Sequence, residues 1–115
     1  MIPPVLRTPA YVLDIARLKS NLKTAARIRE DAGCKILLAT KAFASPAVFP
    51  LMREALDGTT ASGVFEARLG HEEFGKEVHV FSPAYAEGEI ESLLPFAGHI
   101  YFNSLAQLGQ YLPEV

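Results

Sequence analysis

Lys35-Ile36-Leu37-Leu38-Ala39-Thr40-Lys41 is a short continuous apolar run bounded by lysines, with no polar/apolar alternation at its centre. Such a run, placed directly after a helix, reads as a strand buried on both faces of a parallel sheet. The segment before it supplies that helix. Asp14 is a candidate N-cap, and Ile15, Leu18, Leu22, Ala25, Ala26 and Ile28 recur at close to a 3.6-residue period. Gly33 stands where a left-handed C-cap is expected. Ahead of Asp14, Ala10-Tyr11-Val12-Leu13 reads as an extended segment.

The cycle then repeats towards the C-terminus. Ser45-Pro46 opens a helix through Val48, Leu51, Met52, Ala55 and Leu56, and Pro50 in its second turn predicts an irregular start or a kink. Asp57-Gly58 reads as a break, Thr59 to Ser62 as a strand, and Gly63 to Phe74 as a helix stopped by Gly75. A strand over Val78–Phe81, a helix over 87–95, a strand over His99–Phe102 and a helix over Leu105–Leu112 capped by Asn103 or Ser104 complete the pattern. Lys41, Ser62, Phe81 and Phe102 mark strand ends at near-equal spacing. Strand–helix units in this rhythm build an open doubly wound sheet or a (β/α)8 barrel. Neither a G-x-G-x-x-G nor a G-x-x-x-x-G-K-[ST] loop is present, which weakens the nucleotide-binding open sheet. Four units are half of a barrel that typically takes about 250 residues, so the pattern anticipates part of a larger protein.

Composition excludes several other classes. Of 115 residues, 50% are apolar and 21% charged, which fits a folded unit rather than disorder. No apolar run approaches the roughly 18 residues of a membrane-spanning helix, and MIPPVLRTPA lacks the apolar core of a secretory signal. A net charge of −2 without a charge block points to neither nucleic acid nor an anionic membrane surface as partner. The single Cys34 forms no internal disulfide and suits a reducing cytoplasm. It reads as a small buried filler rather than a nucleophile. One cysteine and three scattered histidines are too few ligands for a structural zinc site.

Candidate chemistry gathers at the strand ends. A lysine closing a buried strand loses hydration, which favours the neutral amine that attacks a carbonyl; the competing reading has Lys41 clearing the core and reaching water. Thr59, Thr60 and Ser62 could leave room for a ligand and donate to it. Alternatively, Ser62 or Gly63 caps the following helix, with Glu66 satisfying its first turn. His79 and His99, near strand starts, and His71, late on a helix, read as structural. Pro83-Ala84-Tyr85 and Asn103-Ser104 follow strand ends, where either ligand contact or turn chemistry explains them.

The strings GCKILLATKAF, LDGTTASGVFEARLG, EVHVFSPAY and HIYFNSLAQL together resemble the N-terminal part of the carboxynorspermidine decarboxylases, from Thr8 to about Leu112. These are pyridoxal-phosphate enzymes of the alanine racemase-like, fold type III class, related to ornithine and diaminopimelate decarboxylases. Those relatives usually carry Lys-Ala-Asn or Lys-Cys-Asn where this chain has Lys41-Ala42-Phe43. Thr60 stands at their usual aspartate, Gly63 at their usual serine, and Glu66 matches their glutamate. The resemblance implies the N-terminal part of a pyridoxal-phosphate-binding TIM barrel over residues 1–115, with about four βα units preceded by a strand and helix. Residues 1–14 would join a β-rich second domain. It implies that Lys41 binds the cofactor as a Schiff base, with Thr60, Ser62 and Glu66 beside it. It also implies decarboxylation of carboxynorspermidine or carboxyspermidine to norspermidine or spermidine, in a cytoplasmic homodimer. Two other expectations fit the same barrel: a diaminopimelate or ornithine decarboxylase, and a non-catalytic carrier of pyridoxal phosphate. The phosphate loop, the pyridinium partner and the substrate-reading residues are expected beyond Val115.

Overall fold

Four parallel strands form one sheet in the order β1-β2-β3-β4, each followed by a helical segment. The chain is described by a computed structural model over residues 6–113 and 115; the first five residues of the extended N-terminal segment lie outside the described residues. The elements are α1 (Ile15–Ala32), β1 (Leu37–Ala39), α2 (Phe49–Arg53), β2 (Gly58–Ala61), α3 (Val64–Leu69), β3 (Glu77–Phe81), α4 (Glu89–Leu93), β4 (His99–Tyr101) and α5 (Leu105–Tyr111).

Local chemistry sets the helix ends much as the sequence anticipates. The Asp14 side chain accepts from the Arg17 N–H at 3.0 Å and opens α1, and Gly33 closes it in the left-handed region at φ 61°. Pro46 starts a 3₁₀ turn over Pro46–Val48, and only then does α2 begin, with Pro50 in its first turn, where no backbone donor is missed. The helix after β2 loosens into a π turn over Gly70–Phe74, which Gly75 ends at φ 74°. Gly70 lies there against Thr59, whose hydroxyl finds no partner among the described residues. Ser104 caps α5 by accepting from Gln107 N–H at 3.1 Å. Tyr85 turns inward and donates its hydroxyl to Tyr101 O on β4 at 2.8 Å, while within the Pro83–Tyr85 loop the Ser82 hydroxyl donates to Ala84 O at 2.7 Å.

The strand register decides the layers. Leu38, Thr59 and Val78 are register partners and face the helices, as do Ala61 and Val80. One core packs α1 against β1 and α2 through Leu22, Leu38, Phe49, Met52 and Leu56; a second packs Val78, Val80, Ile90, Leu93 and Tyr111. Both cores lie on one side of the sheet. Parallel strands in unbroken sequential order, with their helices on one side, are the arrangement of consecutive barrel units; a doubly wound sheet reverses its strand order and carries helices on both faces. The open-sheet alternative is thereby set aside, and the chain is α/β with the layout of the first half of a (β/α)8 barrel.

Several expectations need correction. β1 spans three residues rather than seven, and its Leu37 and Ala39 are only half-buried, because no described element covers that face. Gly58 does not break the chain but begins β2, at a point too close to the next strand for any side chain. Cys34 is exposed rather than buried, because the turn after Gly33 keeps the chain outside the core until Leu37. Tyr11 is fully exposed, and Ala10–Leu13 pairs with no strand among the described residues. Ile15 and Ile28, on the expected buried stripe of α1, are exposed at its two ends.

Candidate active site

Two chain segments meet at the C-terminal edge of β1 and β2. After Ala39 the backbone folds over at once: Ala42 N–H and Phe43 N–H both donate to Ala39 O, at 3.0 and 3.1 Å. Lys41 therefore leaves the sheet plane, where it is exposed. Its ammonium forms no hydrogen bond or ion pair with any other described residue. The burial expected of a lysine in a buried strand is not supplied by the described residues, since β1 has already ended.

Thr40 holds this turn in place, and it escaped the sequence reading. Its N–H donates to Thr60 O at 3.2 Å, so the β1–β2 ladder extends one residue past β1. Its hydroxyl donates to Glu66 Oε1 at 3.0 Å, with the Thr60 carbonyl at 3.2 Å as a second acceptor. The other carboxylate oxygen of Glu66 accepts from Ser62 N–H at 3.0 Å. Gly63 is the N-cap of α3 and Glu66 its third residue, so the capping role anticipated for Glu66 is present. Lys41, Thr60, Ser62 and Glu66 thus gather at one end of two neighbouring strands. Lys41 alone presents a free charged head; both oxygens of Glu66 are occupied in fixing the frame. A charge-assisted hydrogen bond of this kind, from a threonine only 4% exposed, contributes about 2 kcal/mol. Thr40→Val is therefore expected to lower unfolding stability by about that amount in urea titration. A variant as stable as the parent would show that Glu66 does not depend on this donor.

The open face of the sheet carries polar groups that sequence reasoning placed at strand starts. His79 is the central residue of β3, the register partner of Thr60, and only 8% exposed. Its Nδ1 lies 2.9 Å from Tyr101 Oη and its Nε2 3.1 Å from Glu77 Oε2. Lys35 pairs with the other Glu77 oxygen. The hydrogen bonds from Lys35 and then His79 hold the Glu77 carboxyl at about 2 instead of 4.5, and the same bond raises Lys35. A depressed carboxyl stabilises the fold above its ordinary value, and that contribution disappears as the pH falls from about 4.5 through about 2. Unfolding midpoints followed over that interval should fall less steeply for Glu77→Gln, and added salt should flatten the difference. Identical acid profiles for variant and parent would remove Glu77 from the account.

This edge suits a carbonyl-bearing cofactor held through an amine. The Lys41 head is unpaired, Ala42 and Ser62 beside it are small and exposed, and a Cβ built on Gly63 would meet nothing within 4 Å. A deprotonated primary amine in such an opening can add to an aldehyde. Among the described residues no helix is long and apolar enough to cross a membrane.

No family profile matches the chain. Among individual proteins, it is 41% identical over 107 residues to carboxynorspermidine/carboxyspermidine decarboxylase of Herminiimonas arsenicoxydans, covering 93% of this chain and 29% of that protein. It is 43% identical over 106 residues to carboxyaminopropylagmatine decarboxylase of Synechocystis sp., covering 92% and 27%. The crystal structure of carboxynorspermidine decarboxylase from Campylobacter jejuni, complexed with norspermidine, superposes with a TM-score of 0.89 at 39% identity, over 95% of this chain and 30% of that one. The chain thus spans less than a third of the length of the proteins it matches. In sequence and in fold alike, it is similar to the carboxynorspermidine/carboxyspermidine decarboxylases.

Proposed function

We propose that the protein, at the length of its relatives, is a pyridoxal-phosphate-dependent decarboxylase acting on the amino-acid end of a carboxylated polyamine such as carboxynorspermidine or carboxyspermidine. The observation that carries this reading is the free, exposed Lys41 at the end of β1, in a chain 41% identical to an enzyme of that name. Lys41 would hold the cofactor through its amine and, when displaced by the substrate amine, remain close enough to take up and return a proton. Thr40 and Glu66 are positioning residues: they fix the turn from which Lys41 projects and need not touch the substrate. Thr60 and Ser62 would border the cofactor with small hydroxyl side chains. When bound, pyridoxal phosphate supplies the ring that accepts the electron pair left by departing carbon dioxide.

Carboxyaminopropylagmatine is a second substrate reading, favoured by the 43% identity to the Synechocystis enzyme. Assaying carbon dioxide release from a panel of carboxynorspermidine, carboxyspermidine, carboxyaminopropylagmatine, ornithine and diaminopimelate decides among them. Release from the carboxylated polyamines is the expected result. Release from ornithine or diaminopimelate alone would overturn the substrate class, and cofactor binding without release from any of the five would leave a carrier. The reading extends to a cytoplasmic homodimer in which residues 1–14 join a second domain; the exposed apolar side chains of Leu6, Tyr11, Val12 and Leu13 support that last part.

A further inference from the structure

β-strand geometry brings a carboxylate and two imidazoles to one spot on the open face of the sheet. Glu77 and His79 are two residues apart on β3 and so project to the same side. The β3–β4 register places His99 directly beside His79, with ring centroids 4.2 Å apart and planes within 12°. We propose that Glu77, His79 and His99 form a site for a divalent ion of the zinc, cobalt and nickel class, joining β3 to β4. It goes beyond the decarboxylase reading, and it lies on the same face as Thr60, the register partner of His79. Histidines far apart in sequence become a ligand pair through the register, and the third donor is a carboxylate rather than the cysteine that zinc-site arithmetic looks for.

The donor set suits this class, since imidazole nitrogen with one carboxylate oxygen is the ligand combination of open-coordinated zinc sites. One ligand atom from each residue lies within 4.8 Å of the other two, and Glu77 Oε2 and His79 Nε2 are already 3.1 Å apart. Ligand atoms around a tetrahedral zinc are separated by roughly 3.3 Å, given bonds of about 2.0 Å. Small side-chain rotations, chiefly of exposed His99, close the difference. Tyr101 is placed as the outer partner that metal-bound histidines require. Without metal, its hydroxyl can donate to His79 Nδ1 while Nε2–H donates to Glu77. With metal, the proton moves to Nδ1, which then donates to the Tyr101 oxygen, and the Nε2 lone pair faces the ion. No net proton is lost in that change. Lys35 opposes binding, because its ammonium already occupies Glu77 Oε1.

The test uses the purified protein, stripped of metal and titrated with cobalt(II) alone, with visible absorption of the ion as readout and zinc as competitor. One equivalent is expected to give the intense bands of a low-coordinate site and to be displaced by zinc. His99→Ala should abolish the bands, and Tyr101→Phe should weaken binding about 10- to 100-fold. Lys35→Ala should tighten it, and His71→Ala, remote from the site, should change nothing. Far-UV circular dichroism of each variant separates ligand loss from unfolding. Absence of a spectrum with the folded parent overturns the site. So does a His99→Ala protein that binds cobalt as the parent does, since binding then belongs to scattered surface groups.

Discussion

Lys41→Ala, in the protein at its natural length, is expected to lower carbon dioxide release from carboxylated polyamines by more than about 10³-fold while leaving the fold intact. The fold is spared because the Lys41 side chain is exposed and forms no bond to any other described residue. Activity suffers because, among the described residues, no other lysine stands at this edge; Lys35 is at the opposite end of β1 and engaged with Glu77. A direct readout accompanies the assay. Adding pyridoxal phosphate, reducing with borohydride and digesting with trypsin should leave Ile36–Arg53 uncut, because a pyridoxylated Lys41 no longer admits the protease. A label at another lysine, or full activity in Lys41→Ala, would refute the cofactor role. Guanidinium is no substitute for this amine, so Lys41→Arg should be as inactive as the alanine variant.

Gly58→Ala is expected to destabilise the fold by about 3 kcal/mol or more, lowering the melting temperature by more than about 10 °C. A Cβ on Gly58 would lie 2.1 Å from the carbonyl oxygen of Glu77 and 2.8 Å from its carbonyl carbon. Those atoms belong to the backbone of β3, which cannot rotate aside as a side chain does. Relief requires parting β2 from β3 where their pairing begins, at Gly58 opposite Glu77. Gly109→Ala is the matched control: it lies within α5, a Cβ there meets nothing within 4 Å, and alanine in a helix should stabilise by about 0.5–1 kcal/mol. The same chemical change is thus expected to act with opposite sign at two glycines. Equal melting temperatures for Gly58→Ala and the parent would show that the strands give way cheaply.

What the sequence by itself determined was local and periodic. The Asp14 and Gly33 caps, the irregular start at Pro46, the Gly75 stop, the capping by Glu66 and the βα rhythm all rest on chemistry between residues a few positions apart. The lysine at the first strand's end was legible for the same reason, and so was the resemblance carried by the strings around it. Strand order, by contrast, links residues about one βα unit apart, and periodicity is silent about it. Only the tertiary structure put Val78 towards the helices and His79 on the open face, because a one-residue change of register would exchange them. It also decided that Lys41 stands clear of the core, that Thr40 is the donor holding Glu66, and that Glu77, His79 and His99 converge. The Thr40–Glu66 contact joins the end of β1 to α3, and the Glu77–His79–His99 cluster joins β3 to β4; both geometries exist only once the strand backbones are hydrogen-bonded in register.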